Sequence, residues 1–126
     1  MANTVKQPAM NFTITDGDGA VHTVTTATQS ITTTGNGFGE RYYTTSTSYA
    51  TIDFADFGLT TEQFCLFQNV DDTDNVIIAA GAAANEQPFA DLEPGCVCVT
   101  WLDGAETIRV KSSANTPRVR VVAAED

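Results

Sequence analysis

Histidine and tryptophan each occur once in this chain, cysteine occurs three times, and 6 basic residues face 16 acids. Each shortage excludes something. The single histidine, His22, sits between Val21 and Thr23 in an alternating tract and reads as a water-facing strand side chain. Nucleophilic catalysis needs a nucleophile, a base and an orienting group that converge. No Gly-x-Ser-x-Gly, His-Glu-x-x-His or P-loop pattern occurs, and the tract Gly35 to Gly39 lacks a flanking strand–helix unit, so it reads as a loop. The expectation is no enzyme and no cofactor. A formal charge of −10 repels phosphate backbones and anionic lipid, so neither nucleic acid nor a membrane is an expected partner. No apolar run approaches the roughly 18 residues of a membrane span. Residues 1–10 carry one lysine and no apolar centre, so they do not read as a secretory signal. The expected setting is a cytoplasm, or a larger assembly built there.

Three cysteines cannot make a disulfide framework. Cys96 and Cys98 lie two apart in an alternating stretch, so both are expected on one sheet face as small buried hydrophobes. A thiolate pair completed by Cys65 and His22 would lack the spacer of zinc knuckles, and no metal is expected.

What is present is β. The 126 residues suit one domain, and 42% hydrophobic content supports a core. Threonine, β-branched and polar at its tip, crowds residues 23–26, 32–34 and 44–47, as befits solvent-facing strands. Residues 11–15 and 20–26 alternate around Asp16-Gly17-Asp18-Gly19, a hairpin signal. Strands are expected at 28–34, 41–47 and 49–54 (or one long bent strand across both), 64–69, 76–80, 96–102, 107–111 and 118–123. Between them lie a helical turn at 54–59 ended by Gly58, a polar turn at 69–75, a small-residue loop at 81–85 and a turn at Asp103-Gly104. Pro94-Gly95 marks a type II turn. No segment holds helical periodicity over three turns. The fold expected is all-β: a single jelly-roll-like β-sandwich of about eight antiparallel strands, with an open barrel second. Residues 1–10 form an expected flexible arm, or a strand ordered by a neighbour, and residues 11–126 the sandwich domain.

Two ligand chemistries deserve a test. Asp16, Asp18, Asp71, Asp72 and Asp74 could offer oxygens to calcium, but the EF-hand series fails at Ala20 and at Val76. Asp and Asn also form turns by bonding nearby backbone, which suffices here. Exposed aromatics bind sugars in sandwich modules, and Phe38, Tyr42, Tyr43 and Trp101 are the candidates. Adjacent tyrosines cannot both face out, and Trp101 reads as core.

From Gln63 onward five features stand in order: Phe67-Gln68-Asn69-Val70-Asp71, Asn75-Val76-Ile77, Leu92-Glu93-Pro94-Gly95, Lys111 to Thr116 (with Ala114-Asn115), and Val119 to Asp126. This order resembles small virion structural proteins of tailed bacteriophages. It covers about half the chain and departs at Cys96, where the group often carries Glu. The resemblance implies a virion protein with no catalytic residues, most simply a capsid decoration (cement) protein assembled in the host cytoplasm. A head–tail connector or small tail protein is the alternative, and a carbohydrate-binding module the second. Expected partners are the major capsid protein or neighbouring virion proteins and further copies of the chain, a trimer among the options.

Overall fold

The computed structural model describes residues 4–15, 17–32, 37–59, 62–102 and 107–125. Twelve strands run in chain order: β1 (Thr4–Gln7), β2 (Asn11–Thr15), β3 (Val21–Thr25), β4 (Gln29–Thr32), β5 (Phe38–Thr44), β6 (Ala50–Thr51), β7 (Glu62–Asn69), β8 (Val76–Ala80), β9 (Gln87–Leu92), β10 (Val97–Trp101), β11 (Ile108–Ser112) and β12 (Arg118–Glu125). A 3-10 turn at Phe54–Phe57 is the one helical element among the described residues. The chain is all-β. Of the residues named earlier, Asp16, residues 33–36 of the expected strand and glycine tract, Asp103, Gly104 and Asp126 lie outside those described.

Eight strands make a sandwich of two antiparallel sheets, ordered β10-β7-β12-β5 and β6-β11-β8-β9. The chain changes sheet at every connection except the β8–β9 hairpin. Alternation explains the core. Every second residue of β11 is fully buried (Ile108, Val110, Ser112), and β8 follows suit with Val76 and Ile78. They meet Cys65, Phe67, Val119, Val121 and Ala123 of the other sheet, while Ile52, Phe54 and Leu59 close one end. Each such Val, Ile or Phe side chain contributes about 1.5–3 kcal/mol by leaving water.

The turn expected at 54–59 forms: Ala55 N–H donates to Asp53 Oδ1 at 3.0 Å, and Gly58, at φ 76°, donates back to Ala55 O at 2.9 Å. Pro94-Gly95 turns as read, with Cys96 N–H donating to Glu93 O at 2.9 Å and Gly95 at φ 80°, a conformation that carries a strain penalty for side chains with a Cβ. Strand β9 was not anticipated. Pro88 and Asp91 break its pattern, but β9 is a sheet edge, where a missing N–H is tolerated, and its partner shifts register beside Pro88.

Gly39 reads as part of a loop but lies in β5, because Phe57 packs where its side chain would be. A Cβ there would stand 2.6 Å from Phe57 Cβ. Gly39→Ala must therefore push the 3-10 turn off the sheet, and urea unfolding should show a loss of about 1–3 kcal/mol. An unchanged midpoint would mean that Phe57 yields freely.

The remaining strands form one long hairpin. β2 pairs with β3, and β1 with β4, in a continuous register centred on Asp18. Thr4–Gln7, within the segment expected as an arm, is thus paired with Gln29–Thr32.

Candidate interaction surface

Successive side chains of a strand point to opposite faces, so a half-buried strand alternates and a strand covered on both faces is apolar throughout. Three neighbouring strands here are of the second kind: Phe64-Cys65-Leu66-Phe67 in β7, Val121-Val122-Ala123-Ala124 in β12, and Val97-Cys98-Val99 in β10. Their inner residues fill the core. Their outer residues fall into three rows by register: Trp101, Phe64, Ala124 and Phe38; then Val99, Leu66, Val122 and Glu40; then Val97, Gln68, Arg120 and Tyr42. Phe38 is 64% exposed and Val99 46%, while Leu66 and Val122 are half-buried. Phe64 and Trp101 meet edge to face with centroids 5.2 Å apart.

The charges on this face cancel. Arg120 Nη2 lies 3.0 Å from Glu40 Oε2 and also donates through Nη1 to Gln68 Oε1 at 3.4 Å. The hydrogen bond from Arg120 holds the Glu40 carboxyl below the usual carboxylate range. At the rim, Arg118 stacks on Tyr42, 4.9 Å from the ring centre. No unpaired formal charge stands in the three rows.

The opposite sheet presents a different exterior. There Arg109 Nε lies 2.9 Å from Glu86 Oε1, Arg109 also donates to Thr51 Oγ1 and Tyr49 O, and Lys111 sits 4.7 Å over the Tyr49 ring. Asn75 donates to Asp91 Oδ1 at 2.9 Å. A shallow depression of about 390 Å³ opens between Tyr49, Ile77, Phe89, Asp91 and Lys111, with no nucleophile–base pair in it. This exterior mixes charged, polar and apolar side chains, whereas the three rows of the first sheet are apolar but for Glu40, Arg120 and Gln68.

The cysteines part company. Cys65 is fully buried, Cys98 faces the core half-buried, and Cys96 is exposed at the Pro94-Gly95 turn. Cys96 and Cys98 were both expected as buried hydrophobes; the turn lifts Cys96 out, one residue before β10 begins. Burial pushes the Cys98 thiol up, and only thiolate reacts. A thiol reagent should therefore modify one cysteine per folded chain quickly and three after denaturation; two fast thiols would contradict this packing. Among the described residues, no group of three or more His, Cys, Asp or Glu could hold a metal ion.

The acids act in turns. Asp71 Oδ2 accepts the N–H of Asp74 at 3.1 Å and of Thr73 at 3.3 Å and the Thr73 hydroxyl at 3.0 Å, and these bonds, the Asp74 N–H foremost, lower its pKa. Of the aromatic candidates, Tyr43 turns inward against Phe57, with ring centroids 6.3 Å apart, while Tyr42 and Phe38 face out. Trp101, read as core, stands instead on the outer row, where its strand alternates with inward Cys98.

Four of the five ordered features noted from Gln63 onward are tied together at one end of the sandwich, and the last begins beside them. The buried Asn69 donates from Nδ2 to Leu92 O at 2.9 Å and to Asp74 O at 2.8 Å, and its Oδ1 accepts Asp71 N–H at 3.0 Å. Gly95 N–H donates to Asn69 O, Asn115 Nδ2 to Asp74 Oδ2, and Ser113 N–H to Asn75 O. Val70 N–H donates to Arg118 O, at the head of β12. This constellation is architectural, with every polar atom of Asn69 engaged. It was visible in the sequence only as separate turn signals. No protein-family model, curated protein or solved structure matches the chain.

Proposed function

We propose that this chain is a structural protein of a bacteriophage virion, most simply a capsid decoration protein docked on the major capsid protein or its neighbours. The observation that carries the reading is the apolar outer face of the β10-β7-β12-β5 sheet. The largest apolar patch on an ordinary monomer, roughly 300–600 Å², is often functional, and this face is of that size. The face offers few groups for sugar hydroxyls or for catalysis, and its charges are already paired. A chain of net charge −10 suits an outer surface better than contact with packaged DNA.

The strand order supports a finer reading of the fold. Counted along the sandwich alone, the sheets run 6-3-8-1 and 2-7-4-5, an order that supports the jelly-roll reading. Jelly rolls occur in viral capsid and lectin domains, so the fold favours the virion reading by analogy only. The resemblance over roughly residues 63–126 points the same way, and its motifs belong to one hydrogen-bonded corner. A head–tail or tail position is the alternative within the virion.

Quantitative staining of purified particles tests this. Decoration predicts hundreds of copies per particle, and a connector about a dozen or fewer. A protein missing from particles overturns the reading. A sugar-binding module remains the second reading, favoured by the aromatic row Phe38, Phe64 and Trp101. Tryptophan fluorescence titrated with a broad oligosaccharide panel decides it, since Trp101 is the only tryptophan; a flat response removes it.

A further inference from the structure

We propose that the apolar outer face of the β10-β7-β12-β5 sheet is covered by the N-terminal β-ribbon of a second copy of this chain. The proposal rests on reading the chain as an assembly protein and names the first partner in that assembly.

The ribbon is itself amphipathic. By its register Met10, Ile14, His22, Val24 and Thr26 share one face, and Asn11, Thr13, Thr15, Val21, Thr23 and Thr25 the other, so the larger apolar side chains gather mainly on the first. Its polar face is knitted by Thr25 donating to Asn11 Oδ1 at 2.7 Å. Ile14 is 55% exposed and Val24 51%, so the apolar face is uncovered within its own chain. A two-stranded ribbon is marginally stable in water unless that face is packed against something. Each copy thus carries two uncovered apolar surfaces of β geometry, one two-stranded ribbon and one broad sheet.

Charge narrows the occupant. The segment 4–32 holds Lys6, Asp16 and Asp18 as its only formally charged side chains, while the remaining acids lie in the rest of the chain. In a protein of net charge −10, the ribbon is the part of a second copy that approaches without strong like-charge repulsion. The face it would meet carries only the paired Glu40 and Arg120 in its three rows.

Area points to ribbon on sheet over sheet on sheet. Four strands at about 4.8 Å spacing and five residues at about 3.3 Å each cover roughly 300 Å² in projection. A stable interface buries roughly 800 Å² per partner. Two sheet faces pressed together fall short, whereas two copies that each lay a ribbon on the other's sheet place two such contacts, roughly 600 Å² of projection per partner, in one interface. The pair is then isologous, with a two-fold axis relating the two contacts.

The test uses two full-length double variants and a light-scattering mass. One carries Ile14→Asp and Val24→Asp on the ribbon, the other Val97→Asp and Val99→Asp on the sheet; all four positions are exposed. The wild-type chain should self-associate, and each variant alone should lose roughly 100-fold in affinity and run as a monomer. Mixed, they should form a 1:1 complex, because one supplies an intact face and the other an intact ribbon. The matching threonine variants, which keep the β-branched shape, should act in the same direction if either aspartate variant fails to fold. A monomeric wild-type chain overturns the proposal, as does a variant that still self-associates or a mixture that stays monomeric. A monomeric chain that is nevertheless abundant in particles would sink this inference alone; absence from particles would sink the virion reading and leave this contact standing.

Discussion

Asn69→Ala is expected to remove about 3–5 kcal/mol of folding stability, measured by urea unfolding. The residue is fully buried, and its amide joins the 69–75 turn to the end of β9 through two donated bonds and one accepted bond. Truncation leaves the carbonyls of Asp74 and Leu92 and the N–H of Asp71 without that partner, each worth about 1–3 kcal/mol when buried. Total stabilities of about 5–15 kcal/mol make this a large fraction. Asn69→Asp should be no better, because a carboxylate would face two carbonyl oxygens. A loss below about 1 kcal/mol would show that the turn closes without it.

Val99→Glu should leave the fold within about 0.5 kcal/mol of wild type yet reduce incorporation into particles at least roughly 100-fold. Val99 is exposed in the isolated chain, so the new charge costs little there. Once a partner covers the face, the same carboxylate is buried without a counter-charge, since Arg120 is already committed to Glu40. Gln87→Glu, which adds the same charge on the edge of the other sheet, is the control and should incorporate normally. Equal incorporation of both would place docking elsewhere.

Much of the sandwich was legible because its strands alternate or run apolar between clear turns. β8 begins and ends at the residues expected, and β7, β11 and β12 differ only at their ends. β9 escaped because Pro88 and Asp91 hide an edge strand, and Gly39 because the neighbour that requires it, Phe57, is distant in sequence. Trp101 was misplaced for an instructive reason. An apolar run does not say which face is the core, so Trp101 was read as core when residues 64–67 and 97–101 line both sides of one sheet. The apolar outer face was therefore written in the sequence as an excess of hydrophobicity, but its location needed the register. The Asn69 corner needed it too, since its bonds join residues 23 apart and its neighbours' join residues 41 apart.

Carbene footprinting of the assembled protein, read residue by residue against the diluted chain, tests the exterior most directly. Burial of the sheet predicts strong protection at Phe38, Val97, Val99 and Trp101, with Phe89 and Tyr49 labelled equally in both states. Uniform labelling of the first four on assembly, or protection confined to the Tyr49 side, would contradict it.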